Sequence, residues 1–266
     1  MEYNVDAENA KLFEAGMVPA WFRPCARELL ALAAPAAGER ILDLACGTGV
    51  AARAAAAVLN GHAAITGCDI NGTMLDVARE VAAGEGHEIE FHQGDAGALP
   101  FENEAFDLVL CQHGMQFFPD LPAALREIQR VLTPAGRFAA ATWVSEEACP
   151  GQQAVIQALE KHGFDTAAAR RPFNFGNESH IRRVLGGESF PSLQISTARL
   201  IGRFDSPEQC MEVLASGAPS IRMAIEQAPT ELRDAIKDDA IDRMASFKTE
   251  NGLEMPMDTY LFLTGG

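Results

Sequence analysis

The sequence predicts a doubly wound α/β fold, and three observations carry the prediction. Between residues 39 and 143, short apolar runs alternate with stretches of helical periodicity. That alternation argues for a parallel sheet covered on both faces. The run Ile41-Leu42-Asp43-Leu44 leads through Gly47-Thr48-Gly49 into an alanine-rich helix. Glycines there let a ligand approach the backbone at a helix N-terminus. Acidic residues also stand at three successive strand ends: Asp43, Asp69 and Asp95. Right-handed crossovers bring those ends to one rim, where open α/β sheets bind ligands.

Taken in order, residues 6–33 read as helix. Proline costs a helix interior about 3 kcal/mol, so Pro19 and Pro24 predict two helices rather than one. "ERILDLA" is a strand, "TGVAARAAAAVLN" a helix, "AAITGCDI" a strand, "NGTMLDVAREVAAGEG" a helix and "EIEFHQGD" the third strand. "FDLVLCQH" is a strand of near-continuous apolar character. "LPAALREIQRVLTPAG" is a helix stopped by Pro134 and Gly136, and "RFAAATW" is the fifth strand. Beyond Trp143, "GQQAVIQALEKHG" and residues 178–185 read as helices and "LQISTARLIGRF" as a long strand. Residues 207–250 form a helical insertion broken at Gly217, Pro219 and Pro229, before the closing strand "MDTYLFLTG". The expected organisation is one domain over 1–266. Residues 1–38 are its N-terminal helical lid, 39–144 its ligand-binding core, and 145–266 a substrate-side half containing the insertion.

The net charge of −16 repels phosphate backbones, and the two arginine doublets, Arg170-Arg171 and Arg182-Arg183, make no basic stripe, so nucleic acid is not an expected partner. No apolar run reaches the roughly 18 residues of a membrane span. The acidic N-terminus does not read as a secretory signal. The six cysteines are widely spaced, with no metal-ligand pattern, so no metal is expected and a reducing cytoplasm is the expected compartment.

Gly47, Gly49 and Ala52 fit the dinucleotide pattern G-x-G-x-x-A, and Asp69 stands where a ribose-binding acid would. Asp43 argues against a pyrophosphate. An ionised carboxylate repels it by about 4 kcal/mol for unit charges at 4 Å and an effective dielectric near 20. A cationic amine would be attracted by the same arithmetic. S-adenosylmethionine carries such an amine, with a ribose, an adenine and no phosphate. In this reading the loop of Gly47, Thr48 and Gly49 seats the methionyl part and Asp43 favours the ammonium, directly or through water. Asp69 accepts from the ribose hydroxyls. Asp95 accepts from the adenine amine while the amide of Ala96 donates to the ring, and Ile70 and Met74 contact the adenine faces.

Over residues 39–143 the chain resembles the class I S-adenosylmethionine-dependent methyltransferases of the ubiquinone and menaquinone group. The resemblance rests on "ILDLACGTGV", "GCDINGTML", "GDAGALPF", "FDLVLCQHGMQFFPD" and "LREIQRVLTPAGRFAAATW", in the family's order and spacing. It implies a Rossmann-like, seven-stranded, mostly parallel sheet with its last strand antiparallel. It also places Ala45, where the family more often has glycine, in the cofactor loop, and Cys111 and Gln112 beside the methionyl end. The segment after the fourth strand lacks the N-P-P-aromatic signature of enzymes that methylate planar amines.

Methyl transfer is an in-line displacement, so positioning and exclusion of water are the main requirements. His113, at the end of the fourth strand, is the leading base candidate. Glu14, His162 and His180 read as surface or capping residues. Phe13, Met17, Phe22, Phe117 and Trp143 are the expected substrate-side residues, which suits a small, partly apolar molecule. The assembly is left open, a homodimer included. Two rivals stand beside a small-molecule methyltransferase: a degenerate module that only binds S-adenosylmethionine or S-adenosylhomocysteine, and a nicotinamide oxidoreductase.

Overall fold

The computed structural model describes residues 5–186, 190 and 192–265; residues 1–4 of the expected lid lie outside them. Its sheet has the strand order β3-β2-β1-β4-β5-β8-β6. The strands are β1 (Arg40–Leu44), β2 (Ala64–Asp69), β3 (Glu90–Gln93), β4 (Phe106–Gln112), β5 (Leu132–Trp143), β6 (Gln194–Phe204) and β8 (Gly252–Gly265). β7 (Lys248–Thr249) pairs with β8, so the described residues form eight strands where seven were expected. β8 runs antiparallel to both neighbours, from Arg137↔Gly265 to Trp143↔Thr259 against β5 and from Gln194↔Leu263 to Phe204↔Leu253 against β6. The short β7–β8 ladder is antiparallel as well, and the ladders among β1 to β5 are parallel.

The apolar run of β4 is explained by burial on both faces. Leu108 and Leu110 join one core with Ile41, Ala139, Ala141 and Trp143. Val109 and Cys111 join another with Leu42, Leu44, Phe138 and Ala140. This period-2 division is the signature of a covered strand. Helices α2 (Arg23–Ala33), α3 (Val50–Leu59) and α6 (Pro150–Lys161) supply the first core. α5 (Leu121–Val131) and α8 (Glu178–Leu185) supply the second. The helical insertion before the last strand is present as α9 (Pro207–Gly217), α10 (Pro219–Glu226) and α11 (Thr230–Met244).

Three boundaries differ from expectation, the simplest being the closing strand, which begins at Gly252 rather than Met257. The N-terminal prolines do not break the helix: α1 (Ala7–Leu12) passes into a π-helical segment, Phe13–Phe22, with Pro19 inside, and then into α2 with Pro24 in its first turn. A π-helix relaxes the i−4 geometry that makes proline costly in an α-helix. Helix α5 ends at Val131 rather than near Gly136, because residues 132–136 already belong to β5. Phe106 pairs with Leu132 and Leu108 with Arg137, so Thr133-Pro134-Ala135-Gly136 bulge out of the ladder.

The π-helical segment is fixed to the antiparallel end of the sheet through Trp21. Its ring is fully buried, donates from Nε1 to the Met255 carbonyl at 3.2 Å and lies 5.1 Å from the Phe204 ring. A Cβ on Gly202 would stand 2.5 Å from the indole. Gly202→Ala is therefore expected to destabilise by about 1–3 kcal/mol through overpacking. Trp21→Ala should cost about 3–5 kcal/mol. Gly84→Ala, where an added Cβ meets nothing within 4 Å, should be neutral or stabilising by up to about 1 kcal/mol. Urea denaturation of the three variants checks this; equal midpoints for Gly202→Ala and Gly84→Ala would show that the indole does not depend on that close approach.

Candidate functional site

The strand order reverses at β1, which lies between β2 and β4, and the candidate site stands at the C-terminal ends of these strands. After β1 the chain turns through Ala45 (φ +54°), Gly47 (φ +55°) and Gly49 (φ +78°). An alanine in this left-handed region is strained where glycine is not, which is the physical content of the departure at Ala45. A Cβ on Gly47 would meet nothing within 4 Å. Open space therefore adjoins the loop there.

Asp69 organises this loop. Its Oδ2 accepts from the Gly47 amide and its Oδ1 from the Asn71 amide, both at 2.8 Å. Burial raises its pKa, opposed by these backbone hydrogen bonds. Each oxygen keeps acceptor capacity beyond the one amide it holds. Asp95 is exposed and accepts from the Gly97 amide at 2.8 Å. Ala96 is half-buried beside it, and Ile70 is 59% exposed. Met74 instead packs under Val5, Ala10 and Val77.

Asp43 is 1% exposed, and its Oδ2 accepts from the Ala52 amide in the first turn of α3 at 2.9 Å. The helix N-terminus that would receive a phosphate already holds a carboxylate. Burial pushes the Asp43 carboxyl up to about 7.

Glu14 is not the surface or capping residue expected. Its Oε2 accepts from the Thr48 hydroxyl at 2.6 Å and its Oε1 from Arg53 Nη2 at 2.7 Å, while Arg53 Nη1 donates to Glu85 at 2.8 Å. Arg53 and Thr48 are buried. The π-helical segment is thereby tied to the glycine loop. The signal available in the sequence was that Glu14 is the one charged residue in "FEAGMVPAWF" and Arg53 the one in "VAARAAAAVL".

At the end of β4, Gln112 Nε2 donates to the Phe22 carbonyl at 2.8 Å and its Oε1 is buried without a partner. His113 is 5% exposed, with φ +54°. Its ring stacks on Trp143 at 3.6 Å, meets Phe22 edge-on at 5.5 Å, and places Nε2 3.4 Å from Cys25 Sγ. Burial lowers the imidazole to about 3. Desolvation disfavours the charged imidazolium, so in this packing the ring stands as a neutral side chain between Trp143, Phe22 and Cys25. The substrate-side residues divide. Phe13, Phe22 and Trp143 form one aromatic cluster with His113. Met17 is a core residue close to Gly217 rather than a lining residue. Phe117 lies apart, with the Arg171 guanidinium 5.9 Å from its ring centre. Cys111 is fully buried, and the other five cysteines are buried too, all of them free thiols.

The Asp43 geometry makes a linkage prediction. A carboxyl whose folded pKa is raised contributes stability that is fully present below its unfolded pKa near 4 and is lost as pH rises through about 7. The loss is of the order of 4 kcal/mol for a shift of about three units. Asp43→Asn keeps an acceptor for the Ala52 amide and removes the titration. Without ligand, the variant should therefore gain stability relative to the parent between pH 5 and pH 8. Thermal melts at the two pH values check this; a constant difference between the proteins would contradict the buried-carboxyl assignment.

Residues 41–136 match a family model described as a methyltransferase domain. The chain is 43% identical over 112 residues to a demethylmenaquinone methyltransferase of Thermus thermophilus, covering 42% of this chain and 50% of the relative. It is 37% identical over 130 residues to a ubiquinone/menaquinone biosynthesis C-methyltransferase of Hahella chejuensis, covering 48% and 51%. The aligned part thus spans about half the length of these curated relatives. A solved structure of phosphoethanolamine N-methyltransferase 2 from Haemonchus contortus, in complex with phosphomonomethylethanolamine and S-adenosylhomocysteine, superposes with a TM-score of 0.58 at 18% identity, over 91% of this chain and 52% of that one. The strand order and the antiparallel β8 agree with the fold of that solved structure, and over residues 41–136 the chain is similar to the methyltransferase domain that the ubiquinone and menaquinone methyltransferases carry.

Proposed function

We propose that the protein is an S-adenosylmethionine-dependent methyltransferase acting on a small organic molecule. The observation that carries this reading is the Asp69 carboxylate. It pins the Gly47 and Asn71 amides and retains acceptor capacity for a ribose, beside a glycine loop whose following helix is already capped by Asp43. The residues fit the cofactor: open space adjoins Gly47, and the buried Oε1 of Gln112 has no partner within the protein. Gly47, Asp69, Asp95 and Ala96 would hold the nucleoside side, and Gly49, Gln112 and the Thr48–Glu14 pair the methionyl side. When bound, the cofactor supplies an activated methyl group and its own leaving group. The protein's part is to orient the acceptor and keep water out. Phe13, Phe22 and Trp143 furnish an apolar wall for that purpose. A nucleic-acid substrate is disfavoured by the net charge of −16. Among the described residues no helix is long and apolar enough to cross a membrane.

Asp69→Ala should weaken S-adenosylhomocysteine binding by about 1–3 kcal/mol, the cost of losing hydrogen bonds to a charged acceptor, with further loss from freeing the Gly47 amide. Calorimetry reads this directly, and an unchanged dissociation constant would remove Asp69 from the ribose site. Methyl-labelled S-adenosylmethionine incubated with the protein and a metabolite extract should yield a labelled small molecule. Cofactor binding with no labelled product in any fraction would instead identify a binding module. Tight NAD binding without S-adenosylhomocysteine binding would favour the oxidoreductase.

A further inference from the structure

Glu14 reaches the glycine loop from a segment whose other side rests on the helical insertion. Two glycines make that contact close. A Cβ on Gly16 would stand 3.0 Å and 3.1 Å from the two methyls of Val213, on α9. A Cβ on Gly217, the last residue of α9, would stand 2.9 Å from Met17 Cγ, 3.3 Å from the Leu12 carbonyl oxygen and 3.4 Å from Phe13 Cα. Residues 12–13 and 16–17 lie one helical turn apart and so share a face. Glu14 projects from the other side, onto Thr48 and Arg53.

Neither side of this contact gives way easily. A helical valine is held to one preferred χ1 rotamer, so its methyls do not swing aside. On the facing segment, the atoms opposite Gly217 include the backbone of Leu12 and Phe13, which no rotamer change moves. α9 is itself anchored. The Ser206 hydroxyl caps it, accepting from the Gln209 amide at 3.3 Å, and Cys210, Met211 and Leu214 are buried in the core with Ile236, Ala240 and Met244 of α11. The π-helical segment is therefore held at two places: through Trp21 on the antiparallel strands, and at Gly16 and Gly217 against α9.

We propose that α9 positions Glu14: the close approach at Gly16 and Gly217 fixes the separation of α9 from the π-helical segment, and that separation brings the Glu14 carboxylate to the Thr48 hydroxyl in the glycine loop. Glu14 is a positioning residue, and Gly16, Val213 and Gly217 are its spacer. The Thr48–Glu14 bond is 2.6 Å long. Hydrogen bonds weaken steeply as they lengthen and bend, so the small displacement that an added Cβ forces at Gly16 is enough to loosen it. The insertion, more than 150 residues from the loop in sequence, thus becomes part of the support of that loop. The ligand half of this inference rests on the methyltransferase reading, in which Thr48 and Gly49 face the methionyl end of the cofactor; the mechanical half does not.

The test is methyl NMR of Thr48 in the full-length, ligand-free protein, with S-adenosylhomocysteine calorimetry on the same samples. Gly16→Ala should shift the Thr48 methyl resonance and weaken S-adenosylhomocysteine binding by about two- to tenfold, the span of one net hydrogen bond. Val213→Ala in the same chain makes room for the added Cβ. The double variant should return the resonance to its wild-type position and the affinity to within about twofold, which is the coupling expected of residues in contact. Gly217→Ala should also weaken binding, although alanine is the better helix former. A Gly16→Ala protein that unfolds at lower urea but keeps the Thr48 resonance and the wild-type affinity has lost a merely structural contact, and overturns the proposal. A double variant no better than Gly16→Ala alone overturns it as well. Absence of S-adenosylhomocysteine binding by the wild type would remove the methyltransferase reading, and the Thr48 resonance and its rescue would still decide the spacer.

Discussion

The Asp69 carboxylate joins the two loops on which the site is built. One oxygen holds the amide of Gly47 after β1 and the other the amide of Asn71 after β2. Gly47 is left-handed, so its amide is turned out of the local ladder, and a neighbouring strand end supplies its partner. The bond fixes the glycine loop before any ligand arrives, which is where preorganisation contributes to affinity. In the proposed function the same carboxylate would also serve a ligand while staying bonded to the protein. Only an acceptor with several lone pairs can do both, and an amide in its place would offer one oxygen for two strand loops.

Asp43 decides what kind of ligand the loop can take. A phosphate at a helix N-terminus depends on free amides and a positive end-potential. Here the Ala52 amide is satisfied by a carboxylate buried within the protein. Sequence reasoning reached the same exclusion through charge repulsion alone. The geometry supplies a second cause, because the donor is already occupied. The two causes respond differently to pH. With its carboxyl raised to about 7, Asp43 is partly protonated near neutrality and the repulsion weakens, but the amide remains engaged by the carbonyl oxygen of the neutral acid.

The features legible in the sequence are those with a local signature. Strand–helix alternation, the glycine turn and an acid at each strand end were all visible, because periodicity and turn chemistry are properties of neighbouring residues. The extent of β5 was not, since Thr133-Pro134-Ala135-Gly136 carries a helix-stop signal that in this fold is a bulge. The π-helical segment was hidden for a related reason. Proline rules describe α-helices, and Pro19 is accommodated by a different winding. His113 shows the limit of reasoning from residue type. An imidazole at a ligand-facing rim suggests a base, but burial between Phe22 and Trp143 decides its protonation, and burial is a tertiary property.

Exposure changes across the rim in one direction. Asp95 and Ile70 are exposed, Asp69 and Gly47 are half-buried, and Thr48, Gly49, Gln112 and His113 are buried. The covered end is closed by the π-helical segment, held by Trp21 in the core and by Glu14 on Thr48 and Arg53. Arg53 is 3% exposed on its side chain, so withdrawing Glu14 would leave its guanidinium with Glu85 alone. Removing one partner of a buried ion pair costs about 3–5 kcal/mol. Displacing the segment is therefore the expensive route to the glycine loop, and the open route passes Asp95 and Asp69. In the proposed methyltransferase, a ligand entering there would bring its polar, hydroxyl-rich portion to the wet end and its reacting portion to the dry end, beside the aromatic rings of Phe22 and Trp143, which is the order that a displacement shielded from water requires.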